Sequence, residues 1–110
     1  MLLSEKVRIE IFVPDPPNPI YSELLEELAE ELSYAFGGST RISALGNYRS
    51  SAGFIVPDRI NILFSDVSLR WERDRLALEQ YLEWVNRAVE RALEREETVL
   101  ISVYPVCHGE

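Results

Sequence analysis

The only cysteine and the only histidine of this 110-residue chain are neighbours, Cys107 and His108, in the closing segment ISVYPVCHGE. A thiol beside an imidazole supplies the parts of a nucleophile–base pair. The segment before them reads as a strand, and adjacent strand residues point to opposite faces, so the two side chains are not expected to meet. A metal centre needs three or four ligands. Asp66 is the nearest third candidate, but its strand and that of Cys107 are expected two apart, roughly 10 Å. No metal and no cofactor are therefore expected. A P-loop, a dinucleotide fingerprint and an H-E-x-x-H motif are all missing from the sequence.

A second chemistry comes from residues that favour anions. Gly37 and Gly38 follow one predicted helix, and Arg70 and Arg73 flank the start of another. Amides at a helix start attract negative charge, and arginines add to it. If the fold gathers these residues with Ser65, Asp66, Cys107 and His108, that end of the domain is a candidate ligand-binding site.

The elements that must position these groups are legible from periodicity. VRIEIFVP alternates, with Val7, Ile9, Ile11 and Val13 on one face and Arg8, Glu10 and Phe12 on the other. Asn18 and Pro19 cap a helix predicted over Pro19–Phe36, which Gly37 and Gly38 end. STRISALGNYRS predicts a second strand, with a bulge or close approach at Gly46, and SSAGFIVPD a loop. RINILFS predicts a third strand, with Ile60, Ile62 and Phe64 facing the helices and Asn61, Leu63 and Ser65 facing away. A second helix is predicted from Trp71 to Arg95 and a fourth strand over TVLISVYPV.

The order βαββαβ resembles the ferredoxin-like α+β fold, two interleaved split βαβ units in one domain spanning residues 1–110. That resemblance implies a two-layer sandwich with antiparallel sheet order 4-1-3-2 and both helices on one face. It implies no activity, because the fold hosts many. The phrases YAFGGST, GNYRS and VYPVCHG resemble those of an uncharacterised stand-alone bacterial domain, and no functional family is matched. The elements of an RNA-recognition, acylphosphatase-like or copper-chaperone domain are not met.

The sheet face away from the helices is expected to carry Phe12, Leu45, Leu63, Leu100 and Tyr104. A merely solvated face would be mostly polar. Such a patch predicts a homodimer, sheet against sheet. Helix 1 presents Glu23, Glu26, Glu27, Glu30 and Glu31 without an intervening cation, a face suited to a basic protein partner. The net charge of −8 argues against nucleic acid, although residues 41–70 carry a local excess of +2. No stretch is long enough to span a membrane, no secretory leader is recognisable, and one cysteine fits a reducing setting, so a cytoplasmic location is expected. A non-enzymatic binding domain is the leading expectation; a small enzyme or anion-binding protein is the alternative.

Overall fold

The computed structural model describes residues 1–93 and 99–109. Strand β1 (Leu3–Pro14), helix α1 (Pro19–Phe36), strands β2 (Thr40–Arg49) and β3 (Ile55–Val67), helix α2 (Trp71–Leu93) and strand β4 (Leu100–Gly109) follow one another. The strands pair antiparallel in the order β2-β3-β1-β4, which is the expected 4-1-3-2 order read from the other edge. The predicted end of α2 at Arg95 and the predicted start of the fourth strand at Thr98 lie outside the described residues.

Local chemistry sets the helix ends. Asn18 is extended and its side chain accepts the Ile20 N–H at 3.1 Å, while Pro19 presets the first turn of α1. Gly37 then adopts φ 90°, and its N–H donates to the Ser33 carbonyl at 2.8 Å. A side chain at that left-handed position would cost about 1 kcal/mol. Helix α2 is broken within its first turn at Asp74 (φ −110°, ψ 15°).

One row of β1, Val7, Ile9, Ile11 and Val13, has no exposed surface. It packs with Leu24, Leu25, Leu28 and Leu32 of α1 and with Leu78, Val85 and Val89 of α2. Truncating any of these leucines or isoleucines to alanine is expected to cost about 2–5 kcal/mol.

The register to β1 fixes which way β3 faces, and it reverses the expectation. Ile11 pairs with Leu63, Ile9 with Ser65 and Val7 with Val67. Paired residues share a face, so Leu63, Ser65 and Val67 point toward the helices and are buried. Leu63 is therefore a core residue and not part of a dimer face. Ile60, Ile62 and Phe64 lie on the open face instead. The same parity carries to β2: Arg41, Ser43 and Leu45 share the helix side, and Ile42, Ala44 and Tyr48 the open side. Leu45 is thus also removed from the expected open face. Phe12, Leu100 and Tyr104 stand where expected, since Phe12 pairs with Leu100 and Arg8 with Tyr104.

Three further expectations change. Residues Ile55–Asp58, read as loop, belong to β3. Gly46 makes no bulge: it pairs in register with Asp58, and an added Cβ would meet the Asp58 carbonyl at an ordinary 3.7 Å. Strand β4 continues through Cys107 and His108, which pair with Glu5 and Ser4. The β1–β3 ladder stops at Pro14–Ile60, whereas β2–β3 runs on to Arg49–Ile55. Residues 45–59 consequently project as a two-stranded arm, closed by a turn in which Gly53 has φ 87°. The arm helps to make the molecule elongated, 48 × 30 × 21 Å.

Candidate functional site

The open sheet face divides along β1 into a polar half and an apolar half. The polar half is built on Arg8. Its guanidinium donates to both carboxylate oxygens of Asp66, Nε to Oδ1 at 2.7 Å and a terminal nitrogen to Oδ2 at 2.8 Å. It also lies over the Phe64 ring, 4.3 Å from the centroid. Bidentate geometry and a ring beneath the cation both favour arginine over lysine here. His108 Nε2 reaches Asp66 Oδ2 at 2.7 Å. The Tyr104 hydroxyl donates to Glu10 Oε1. Lys6 Nζ donates to Ser68 Oγ at 2.9 Å.

The electrostatics follow from these contacts. Hydrogen bonds from Arg8 hold the Asp66 carboxyl below its usual range, with help from His108 and against the opposing effect of burial. The same partner raises the Arg8 guanidinium. The hydrogen bond to Glu10 pushes the Tyr104 phenol up. An ionised Asp66 can only accept, so His108 donates to it from Nε2. The outcome is a carboxylate-oriented imidazole beside an internally neutralised ion pair.

The expected ligand-binding residues do not all converge. Asp66 and His108 meet, because long side chains cross β1 between strands that are two apart. Cys107 and Ser65 point to the other side of the sheet. Cys107 is an exposed free thiol, and the Ser65 hydroxyl donates to the Gly38 carbonyl at 2.6 Å. Gly37 and Gly38 thus serve the end of α1. The start of α2 supplies its own anion: Asp74 Oδ2 accepts the Arg70 backbone N–H at 2.8 Å, and Arg73 donates to the same carboxylate at 2.9 Å. An external anion would have to displace Asp74 from that position. Among the described residues no group of three or more His, Cys, Asp or Glu could hold a metal ion.

The apolar half consists of Phe12, Ile42, Ile60, Ile62 and Leu100, with Tyr48 further along the arm. Ile42, Tyr48 and Leu100 are exposed by 47%, 53% and 65%, large values for such side chains, and none of the described elements covers them. The alternation of β1 places Arg8 on this face, as found, but Ile60 and Ile62 were expected on the helix side, and Ile42 and Lys6 were not assigned to the surface. A signal was available: Arg8 on the open side of β1 calls for an opposite charge on the neighbouring strand, and Asp66 supplies it, fixing the facing of β3.

On the helix side, Glu26 pairs with Arg41 at 2.8 Å and Glu31 accepts the Tyr81 hydroxyl at 3.4 Å. Tyr81 is raised mainly by burial and then by Glu31. Glu23 and Glu27 line a shallow groove between the helices with Arg91. Among the described residues no helix is long and apolar enough to cross a membrane.

Comparison with known proteins brings no family to this arrangement: no protein-family model matches the chain, and no curated protein is detectably similar to it.

Proposed function

We propose that this chain is a binding domain on a ferredoxin-like scaffold that works as a homodimer, with the open sheet face as the contact. The carrying observation is the uncovered apolar half, Phe12, Ile42, Ile60, Ile62 and Leu100, beside a polar half whose charged groups are all hydrogen-bonded within the face. Two such faces can meet through their apolar halves without separating those contacts. The helix layer, with its run of glutamates, would repel a second copy. Four strands at about 4.8 Å and ten residues at about 3.4 Å give a face of roughly 650 Å². That is near the ~800 Å² per partner of a stable interface. In this arrangement the acidic face of α1 stays outside, available to a basic protein partner. Light scattering at micromolar concentration tests the contact. The dimer mass is expected for the parent chain and the monomer mass for Ile62→Glu. A monomeric parent chain, or an unaltered mass in the variant, refutes the reading.

A second reading rests on the Asp66–His108 contact alone, as part of a small enzyme or anion site. A saturable shift of the His108 ring signals on titration with inorganic phosphate or acetate would favour it.

A further inference from the structure

The two outer strands of the sheet are protected very differently. Strand β4 carries Pro105, which cannot donate to an added strand, and its side chains Tyr104 and His108 are tied to Glu10 and Asp66. Strand β2 has no proline, bulge or lysine over its ten residues, and most of them are exposed. Its outer backbone groups face no other strand of the sheet. Arg41 and Arg49 guard its two ends, and the stretch between them has none of the devices that normally blunt a long edge against the addition of another strand.

We propose that the β2 edge is a binding site for an extended, acidic segment of a partner protein, added antiparallel or parallel to Thr40–Arg49. The side chains specify the chemistry. On the helix side, Arg41 and Arg49 of β2 and Arg59 of β3 line one row. Arg41 already contacts Glu26, while Arg49 and Arg59 form no ion pair among the described residues. On the open side, Ile42, Ala44 and Tyr48 form an apolar row. An incoming strand that alternates carboxylates with branched apolar residues matches both rows at once. These arginines belong to the only stretch of the chain with excess positive charge. A second copy of β2 fits less well, since it would bring the arginines of both copies onto one side of the new strand pair. The backbone edge that pairs the added strand is distinct from the sheet face, although the two surfaces share Ile42.

The test uses the full chain and a capped peptide alternating valine and glutamate, about as long as β2. Saturable binding is expected, with slowed hydrogen exchange at the β2 amides directed away from β3. A peptide N-methylated on its pairing edge is expected to bind more than about tenfold more weakly. Arg49→Glu is expected to weaken binding of the parent peptide about fivefold and to improve binding of a valine–lysine peptide. Equal binding of the N-methylated or the valine–lysine peptide to the parent chain overturns the proposal. So does protection of the outward β2 amides in the protein alone, which would mean that a second copy holds the edge. The mass measured by light scattering reports the sheet-face dimer separately, so either idea can fail alone.

Discussion

Strands β4 and β2 border the same sheet, yet one is bound into the molecule and the other is almost bare. Strand β4 is paired with β1 from Leu3–Gly109 to Phe12–Leu100. Its side chains reach back over β1 to Glu10 and Asp66. Strand β2 leans on β3 alone, and its ties to the body are Arg41–Glu26 and Ser43–Asn61. Sheet pairing by itself does not decide what is covered. The helices cover β1 and β3, and the cross-strand polar contacts then tie in β4 and not β2.

The comparison can be broken most forcefully in the row that β2 and β3 share. Leu63→Ala is expected to destabilise the fold by about 3 kcal/mol, because Leu63 is 1% exposed beneath the helices. Denaturant unfolding measures this, and a loss below about 1 kcal/mol would show the facing of β3 to be wrong.

Next in size is the polar cluster on Asp66, which joins β3 to β1 through Arg8 and to β4 through His108. Asp66→Asn is expected to cost about 1–2 kcal/mol, the worth of its hydrogen bonds to a cation. The pH dependence has a definite sign. The Asp66 carboxyl is lowered in the folded protein, so its contribution is complete above the ordinary value of 3.8 and fades as the pH falls below it. The variant is therefore expected to lose stability less steeply on acidification. Equal acid limbs in the two proteins would remove Asp66 from this role.

Smaller again is Tyr104→Phe, expected to cost about 0.5–1 kcal/mol, since its contact with Glu10 is at the surface. The least effect is expected at Leu45, which shares the helix side with Leu63 but is 67% exposed. Leu45→Ala is expected to change stability by less than about 0.5 kcal/mol. A larger loss would mean that the arm is packed against something in solution.

Much of this fold was legible in the residues. The alternation of β1, the Asn18-Pro19 start and Gly37 stop of α1, and the βαββαβ order follow from period, capping and turn chemistry. The facing of β3 did not, because both of its rows are apolar in part. Ile60, Ile62 and Phe64 look more like a core than Asn61, Leu63 and Ser65. The inward polar groups are nonetheless satisfied, Ser65 by Gly38 and Asn61 by Ser43. Hydrophobicity alone could not choose between the rows; the cross-strand charges of Arg8 and Asp66 could. For the site, spacing correctly kept Cys107 from His108. Strand order placed His108 and Asp66 at the same end of the domain, and their direct contact depends on side chains reaching across β1, which backbone spacing does not register.

Lys6 is the sole lysine of the chain, and it stands at one end of the open face with its ammonium on Ser68. Reagents that acylate amines thus have a single side-chain address, and it reports on that surface. Coupling the protein to a support through this amine would turn the sheet inward and display the glutamates of α1. A neighbour seated on the sheet would instead slow the acylation, giving a chemical footprint of the contact without altering a residue.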